Sequence, residues 1–267
     1  MDRDSTQGSD PRRSLELLWG RNEPGRRGPK QRLSTDEVVQ AAIALADAEG
    51  VPALSMRKVA VAVGVSPMSL YTYVPSKAEL VDLMFDRVLG EAADPDPGCR
   101  DWRAKLAFIA RERWKLSERH PWLLDLTPHR PPLGPNVLRK AEVVLMALNG
   151  MGLDYSDMAL AAEALQNYVT GALHAAREAR ETERQSGLTD EQWFQLVGPL
   201  LEQHMDPAAY PAITRMSEAR LAKPRSSEER TARFEFGLER VLDGLDAFMR
   251  SRQGEAEAAT RLSSQPG

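Results

Sequence analysis

Cysteine occurs once in this chain of 267 residues, at Cys99, and histidine four times, at His120, His129, His174 and His204. A single thiol excludes an intramolecular disulfide framework. Neither a Cys-x-x-Cys nor a His-Glu-x-x-His spacing is present, so no metal site is expected. Enzyme signatures are missing as well: there is no Gly-x-Ser-x-Gly elbow, no Walker loop and no Gly-x-Gly-x-x-Gly turn, and neither enzymatic activity nor a cofactor is expected. No apolar run approaches the roughly 18 residues that a membrane helix needs. The opening Met1-Asp2-Arg3-Asp4 lacks the basic and apolar regions of a signal peptide, so a soluble, cytoplasmic protein without a membrane partner is expected. An excess of positive charge is lacking too. The formal balance is −4, so any affinity for nucleic-acid phosphate must be local.

What the chain does have is helical periodicity. Hydrophobic residues make up 42% of it, enough for a substantial core in one or two domains. The most informative stretch is Leu54 to Lys77, LSMRKVAVAVGVSPMSLYTYVPSK. Ser55 is placed to cap a short helix whose Met56, Val59, Ala60 and Val63 share one apolar face. Gly64 supplies the left-handed turn that ends it. Ser66 and Pro67 then start a second helix, Pro67 to Val74, with Leu70 turned inward and Pro67, Met68, Ser69, Tyr71, Thr72 and Tyr73 outward. That outward set is uncharged and rich in hydroxyls that bond phosphates and base edges. Ser55, Arg57 and Lys77 complete the candidate DNA-binding face. Pro75 closes the helix, and Ser76 with Glu79 opens the next as a capping box. Two short helices joined by a glycine turn, the second with an uncharged polar face, form a helix-turn-helix suited to a major groove.

Residues 34–90 resemble the DNA-binding domain of the TetR family of bacterial transcriptional regulators, and the run from Ser66 to Lys77 is close to that family's recognition helix and following turn. The remainder is similar to an actinobacterial subgroup with a basic N-terminal extension, through Arg13 to Gly20, His120 to Leu123 and Arg130 to Asn136. The resemblance implies an all-α fold: a three-helix DNA-binding domain at 34–90, then a helical effector-binding and dimerisation domain at 99–251. It further implies a homodimeric repressor whose two recognition helices read a palindromic duplex operator until a small-molecule effector, of natural-product or drug-like character, releases it. A transcriptional activator, an effector-independent regulator and, more remotely, a helical enzyme with a vestigial head stand as alternatives.

Residues 1–33 mix glycine, proline, serine and charge, a composition that does not fold alone. Arg21, Arg26, Arg27, Lys30 and Arg32 cluster there with Glu23 as the one acid among them. The segment reads either as a solvated tail or as an arm laid along the minor groove. Its position favours the arm, because Asp36 to Gly90 holds four basic residues (Arg57, Lys58, Lys77, Arg87) against seven acidic ones (Asp36, Glu37, Asp47, Glu49, Glu79, Asp82, Asp86). A short helix from Leu15 to Trp19 docks on the protein or on nothing.

Ser34 and Glu37 form another capping box, starting a scaffold helix with Val39, Ala42, Ile43 and Ala46 on one face and Gly50 at its end. Lys77 to Leu89 leads out of the head with Leu80, Leu83, Met84 and Val88 inward. Further helices are expected at 101–119, 121–126, 136–150, 154–184, 189–204, 207–222 and 227–251, with a disordered tail at 252–267. The two long ones carry Ala161, Leu165 and Ala172, and Leu238, Val241, Leu242 and Leu245. One small face and one large face in two copies would build a four-helix dimer seam; the alternative is a core within one chain. Candidate ligand contacts are Trp114, Trp122, Asn136, Met146, Gln166, Asn167, Thr170, His174 and Trp193. Gln166, Asn167, Thr170 and His174 share a helix face, and buried amides need partners.

Overall fold

Local hydrogen-bonding chemistry starts nearly every helix of this protein. The structure, a computed structural model, describes residues 10–20, 33–126, 131–222 and 229–263. Arg21, Arg26, Arg27, Lys30 and Arg32 of the basic segment lie outside these residues. Described first is a short helix, α1 (Pro11–Leu18), capped by Asp10. Helix α2 (Thr35–Glu49) begins at the expected capping box: the Ser34 hydroxyl accepts from the Glu37 backbone N–H, and the Glu37 carboxylate accepts from the Ser34 N–H at 2.6 Å. Gly50, at φ +79°, ends α2 in a conformation that side chains resist. After a 3-10 turn, α3 (Met56–Ala62) is capped by Ser55, and Gly64 at φ +72° turns the chain toward α4 (Pro67–Leu70).

Helix α4 is shorter than the expected span of 67–74. Thr72 and Tyr73 donate their N–H groups to the carbonyls three residues back, Ser69 and Leu70, so the chain tightens into a turn after Leu70. The cause is Pro75, which disfavours helical geometry at Val74 just before it. Helix α5 (Lys77–Leu89) follows, with Ser76 capping Ala78 and Glu79. Leu80, Leu83, Met84 and Val88 point inward as expected, joined by Phe85. Helices α2 to α5 close a first core around Val38, Ala42, Val59, Leu70 and Met84.

The second core lies between α6 (Trp102–Arg119), α7 (Pro135–Leu148), α8 (Tyr155–Ser186) and α11 (Glu229–Ser263). A 3-10 segment, Pro121–Leu126, links α6 to the rest. Helix α9 (Asp190–His204) buries none of its residues, and α10 (Pro211–Ala222) follows it. Among the described residues no helix is long and apolar enough to cross a membrane.

One departure from the sequence reading and one choice it left open matter here. Helix α11 does not stop at 251 but runs on to Ser263, so most of the expected disordered tail is helical. Its alanines and glutamates favour helix, and Arg252 and Gln253 anchor the extension on Asp157 and on the Met151 carbonyl. Helix α1 docks on α5 rather than on nothing: the Ser14 hydroxyl donates to the Asp82 carboxylate at 2.7 Å, and the Trp19 indole N–H donates to the Leu133 carbonyl at 3.0 Å.

The cores are joined by polar contacts. His120 places Nδ1 2.7 Å from the Asp47 carboxylate on α2 and Nε2 3.1 Å from Glu91, while the Trp122 indole also donates to Asp47, at 2.6 Å. On the other side the buried carboxylate of Asp86 on α5 accepts from the backbone N–H groups of Asn136 and Val137 at 3.0 and 2.9 Å, and from the Asn136 amide. A side chain of the first unit thus caps a helix of the second. The approach is so close that a Cβ on Gly134 would lie 2.2 Å from Asp86 Oδ1, so only glycine fits there.

Candidate nucleic-acid interface and helical cleft

The second helix of the helix-turn-helix is held by one peg. Leu70 is the buried residue of α4, at the floor of the first core, whereas Pro67, Met68 and Ser69 are exposed. Met68 is 80% exposed, and Tyr71 and Thr72 continue the open surface. Tyr73 departs from the expected outward set, being half-buried against the first core. Ser66 and Ser69 share a hydroxyl–hydroxyl hydrogen bond of 2.8 Å, and the Thr72 hydroxyl donates to the Ser69 carbonyl at 2.7 Å. The Ser69 and Thr72 hydroxyls each keep an acceptor lone pair and are held in place by these bonds. Val61 on α3, which sequence periodicity did not single out, is 73% exposed.

Charge on this face is sparse. Arg57 is exposed, Lys77 is half-buried, and Lys58 is paired with Glu49 at 2.6 Å. Arg87 faces Asp36 at 3.6 Å. The surface therefore offers hydroxyl, phenol and methyl contacts rather than broad electrostatic attraction.

In the second unit, Ile109, Ala110, Arg113, Val144, Ala162, Leu165, Gln166 and Val169 line a cleft of about 280 Å³ between α6, α7 and α8, partly open to solvent. Of the nine expected ligand contacts, Gln166 lines this cleft; its amide donates to the Thr170 hydroxyl at 3.2 Å. Asn167 and His174 are exposed, so the expectation of buried amides awaiting a partner fails for that face. Trp114 is buried in the second core against Phe234, ring centroids 4.5 Å apart. Trp122 sits in the first core, and Asn136 belongs to the Asp86 cap. Met146 and Trp193 are exposed.

Arg113 was missed, although a sequence pattern marks it. Leu106, Ile109, Ala110 and Arg113 fall at the i, i+3, i+4, i+7 positions of one helix face, which puts an arginine on an apolar stripe. Among the described residues, no three of His, Cys, Asp and Glu are grouped as metal ligands would be.

The expected dimer seam needs correction. Ala161, Leu165, Leu238, Leu242 and Leu245 are buried inside the single chain, and Ala172 and Val241 pack against the same core. Periodicity identifies an apolar stripe without revealing whether a neighbouring helix or a second chain covers it. Here the α8–α11 pairing within the chain covers it, tied by the Tyr168 hydroxyl donating to the Phe234 carbonyl at 2.6 Å.

Comparison with known proteins agrees with this architecture. Residues 38–84 match the profile described as bacterial regulatory proteins, tetR family, and residues 94–249 match the tetracyclin repressor-like C-terminal domain. The chain is 42% identical over 253 residues to the HTH-type transcriptional repressor DrrR1 of Streptomyces coeruleorubidus, covering 94% of this chain and 92% of that protein. Among solved structures, apo ActR from Streptomyces coelicolor superposes with a TM-score of 0.65 at 28% identity, over 85% of this chain and all (100%) of that one. ActR in complex with actinorhodin gives 0.66 at 29% identity, over 81% and 96%.

Proposed function

Because the chain belongs to the TetR family of bacterial regulatory proteins, we propose that it is a homodimeric transcriptional repressor that holds a palindromic operator until a small molecule enters its second helical unit. The observation that carries this reading is the exposed, uncharged face Pro67-Met68-Ser69 with Tyr71 and Thr72, presented on a helix pegged by Leu70. A solvated helix of no function would carry glutamate and lysine there. DrrR1 is named a repressor, and ActR has been solved with a bound small molecule. Release requires only that the effector prefer the conformation in which the two heads no longer fit successive grooves. A preference of about 100-fold weakens operator binding by up to about 2.7 kcal/mol.

The test is a mobility shift with DNA from upstream of the protein's own gene. Ser69→Glu puts a carboxylate against phosphate in both half-sites and is expected to weaken binding roughly 30-fold, about 1 kcal/mol per half-site. Tight, sequence-selective binding by Ser69→Glu would remove α4 from the interface.

The dimer seam is proposed on the outer face of the same helix pair. Leu160, Ala164, Asn167 and Gly171 follow one another at helical spacing on α8 and are exposed, and α11 presents Phe236, which is 66% exposed, and Gly244. A Cβ at either Gly171 or Gly244 would meet nothing within 4 Å in the single chain, so there is room for a partner's helix to approach closely. Gly171→Glu is expected to yield well-folded monomer in sedimentation equilibrium. A dimer of unchanged stability would place the seam elsewhere.

A further inference from the structure

Four arginines lie on α6, and three of them have an acid. Arg103 bonds Glu239 at 2.5 Å and Asp243 at 2.7 Å, Arg111 bonds Glu235 at 2.7 Å, and Arg119 lies 3.5 Å from Glu91. Arg113 is the exception. It lines the cleft between α6, α7 and α8, its Nε is sealed from solvent, and that N–H finds no acceptor among the described residues. Burial pushes the guanidinium down to about 10, and no acid among the described residues raises it again. It therefore remains protonated at neutral pH. A half-buried cation with one sealed, unbonded N–H is costly, and a helix that pairs its other three arginines leaves this one without an acid among the described residues, at the wall of a cleft.

Six of the eight residues around the cleft are aliphatic: Ile109, Ala110, Val144, Ala162, Leu165 and Val169. The other polar group is Gln166, across the space on α8. An apolar skeleton suits such walls, and a planar guanidinium fits a carboxylate through two parallel hydrogen bonds. We propose that the cleft is an organic-anion site, in which Arg113 pairs with the carboxylate or ionised phenol of an otherwise apolar, ring-containing ligand. This inference rests on the reading of the second unit as ligand-binding and specifies the charge of what it takes. The closed part of the cleft is only about 30 Å³, the wider space of about 280 Å³ including open solvent, so a bicyclic acid must part α6, α7 and α8 as it enters and probes that opening together with the charge.

The test uses two molecules of one shape, naphthalene-2-carboxylate and naphthalene-2-carboxamide, titrated calorimetrically into the full-length protein. The parent is expected to bind the carboxylate at least about tenfold more tightly than the amide, the difference made by a charge-assisted pair. Arg113→Met should lose that preference, Arg113→Lys should keep part of it, and Val169→Trp, which fills the cleft, should bind neither probe. Without any ligand, Arg113→Met should melt above the parent, because the unpaired charge is gone; this also shows that the variant folds. Equal binding of both probes by the parent overturns the anion assignment and leaves the cleft a neutral-ligand site. Binding of neither probe overturns the anion assignment and the ligand-binding reading of the cleft together. A preference that survives in Val169→Trp overturns the assignment by placing the anion elsewhere.

Discussion

Leu242→Glu will unfold the second helical unit rather than separate one chain from another. Leu242 is 0% exposed in the single chain, in a core that also holds Phe234, Leu238, Leu245 and the inner face of α8. The substitution removes a leucine from that core and inserts a carboxylate among apolar side chains. Each change is costly alone, and together they should cost about 4–5 kcal/mol, a large share of the 5–15 kcal/mol that stabilises an ordinary domain. Thermal melting followed by circular dichroism should show the loss as a fall of roughly 10 °C or more, if the variant folds at all. The contrast is Gly171→Glu, whose charge stays in water in the monomer and matters only when a partner approaches. If Leu242→Glu melted like the parent yet sedimented at half its mass, Leu242 would belong to the interface and its burial within one chain would be wrong.

Asp86→Ala is expected to be nearly as damaging, by another route. The Asp86 carboxylate accepts three hydrogen bonds from the first turn of α7, two of them from backbone N–H groups that have no helical partner of their own. Removing it leaves those donors orphaned beside a space that Gly134 cannot fill. A loss of about 2–4 kcal/mol follows from an absent cap and unsatisfied buried groups. The consequence reaches further than stability, because the bond joins α5, which follows the helix-turn-helix, to α7, which walls the cleft. With that link cut, a ligand that still binds should release the operator less completely. The measurements are a melting curve and a titration of preformed protein–operator complex with ligand. A melting temperature within about one degree of the parent's would show that the cap contributes little to the fold.

The legible part of this protein was the part built from neighbouring residues. The capping box at Ser34 and Glu37, the cap at Ser55 and the turns at Gly50 and Gly64 are local, and each stands where its residues predicted. The length of α4 was misjudged although Pro75 was in view, because the proline acts one residue ahead of itself and the bonds shorten before it. Contacts between distant segments were illegible: nothing near Asp86 announces that it caps a helix 50 residues on. The residues expected at the seam are covered within the chain for a related reason, since α8 and α11 each carry two usable faces and the more apolar one packs inward. Trp122 and Asn136, expected at a ligand, serve instead to join the two cores.

The single peg under α4 has an evolutionary consequence. Leu70 is the buried residue of that helix, so the exposed Pro67, Met68 and Ser69 can be exchanged with little effect on the core. On the proposed reading of that face, mutations there are tried on operator sequence without first being filtered for foldability. A gene duplicate could move to a new promoter in a few substitutions while retaining its helical scaffold, its pairing surface and its cleft.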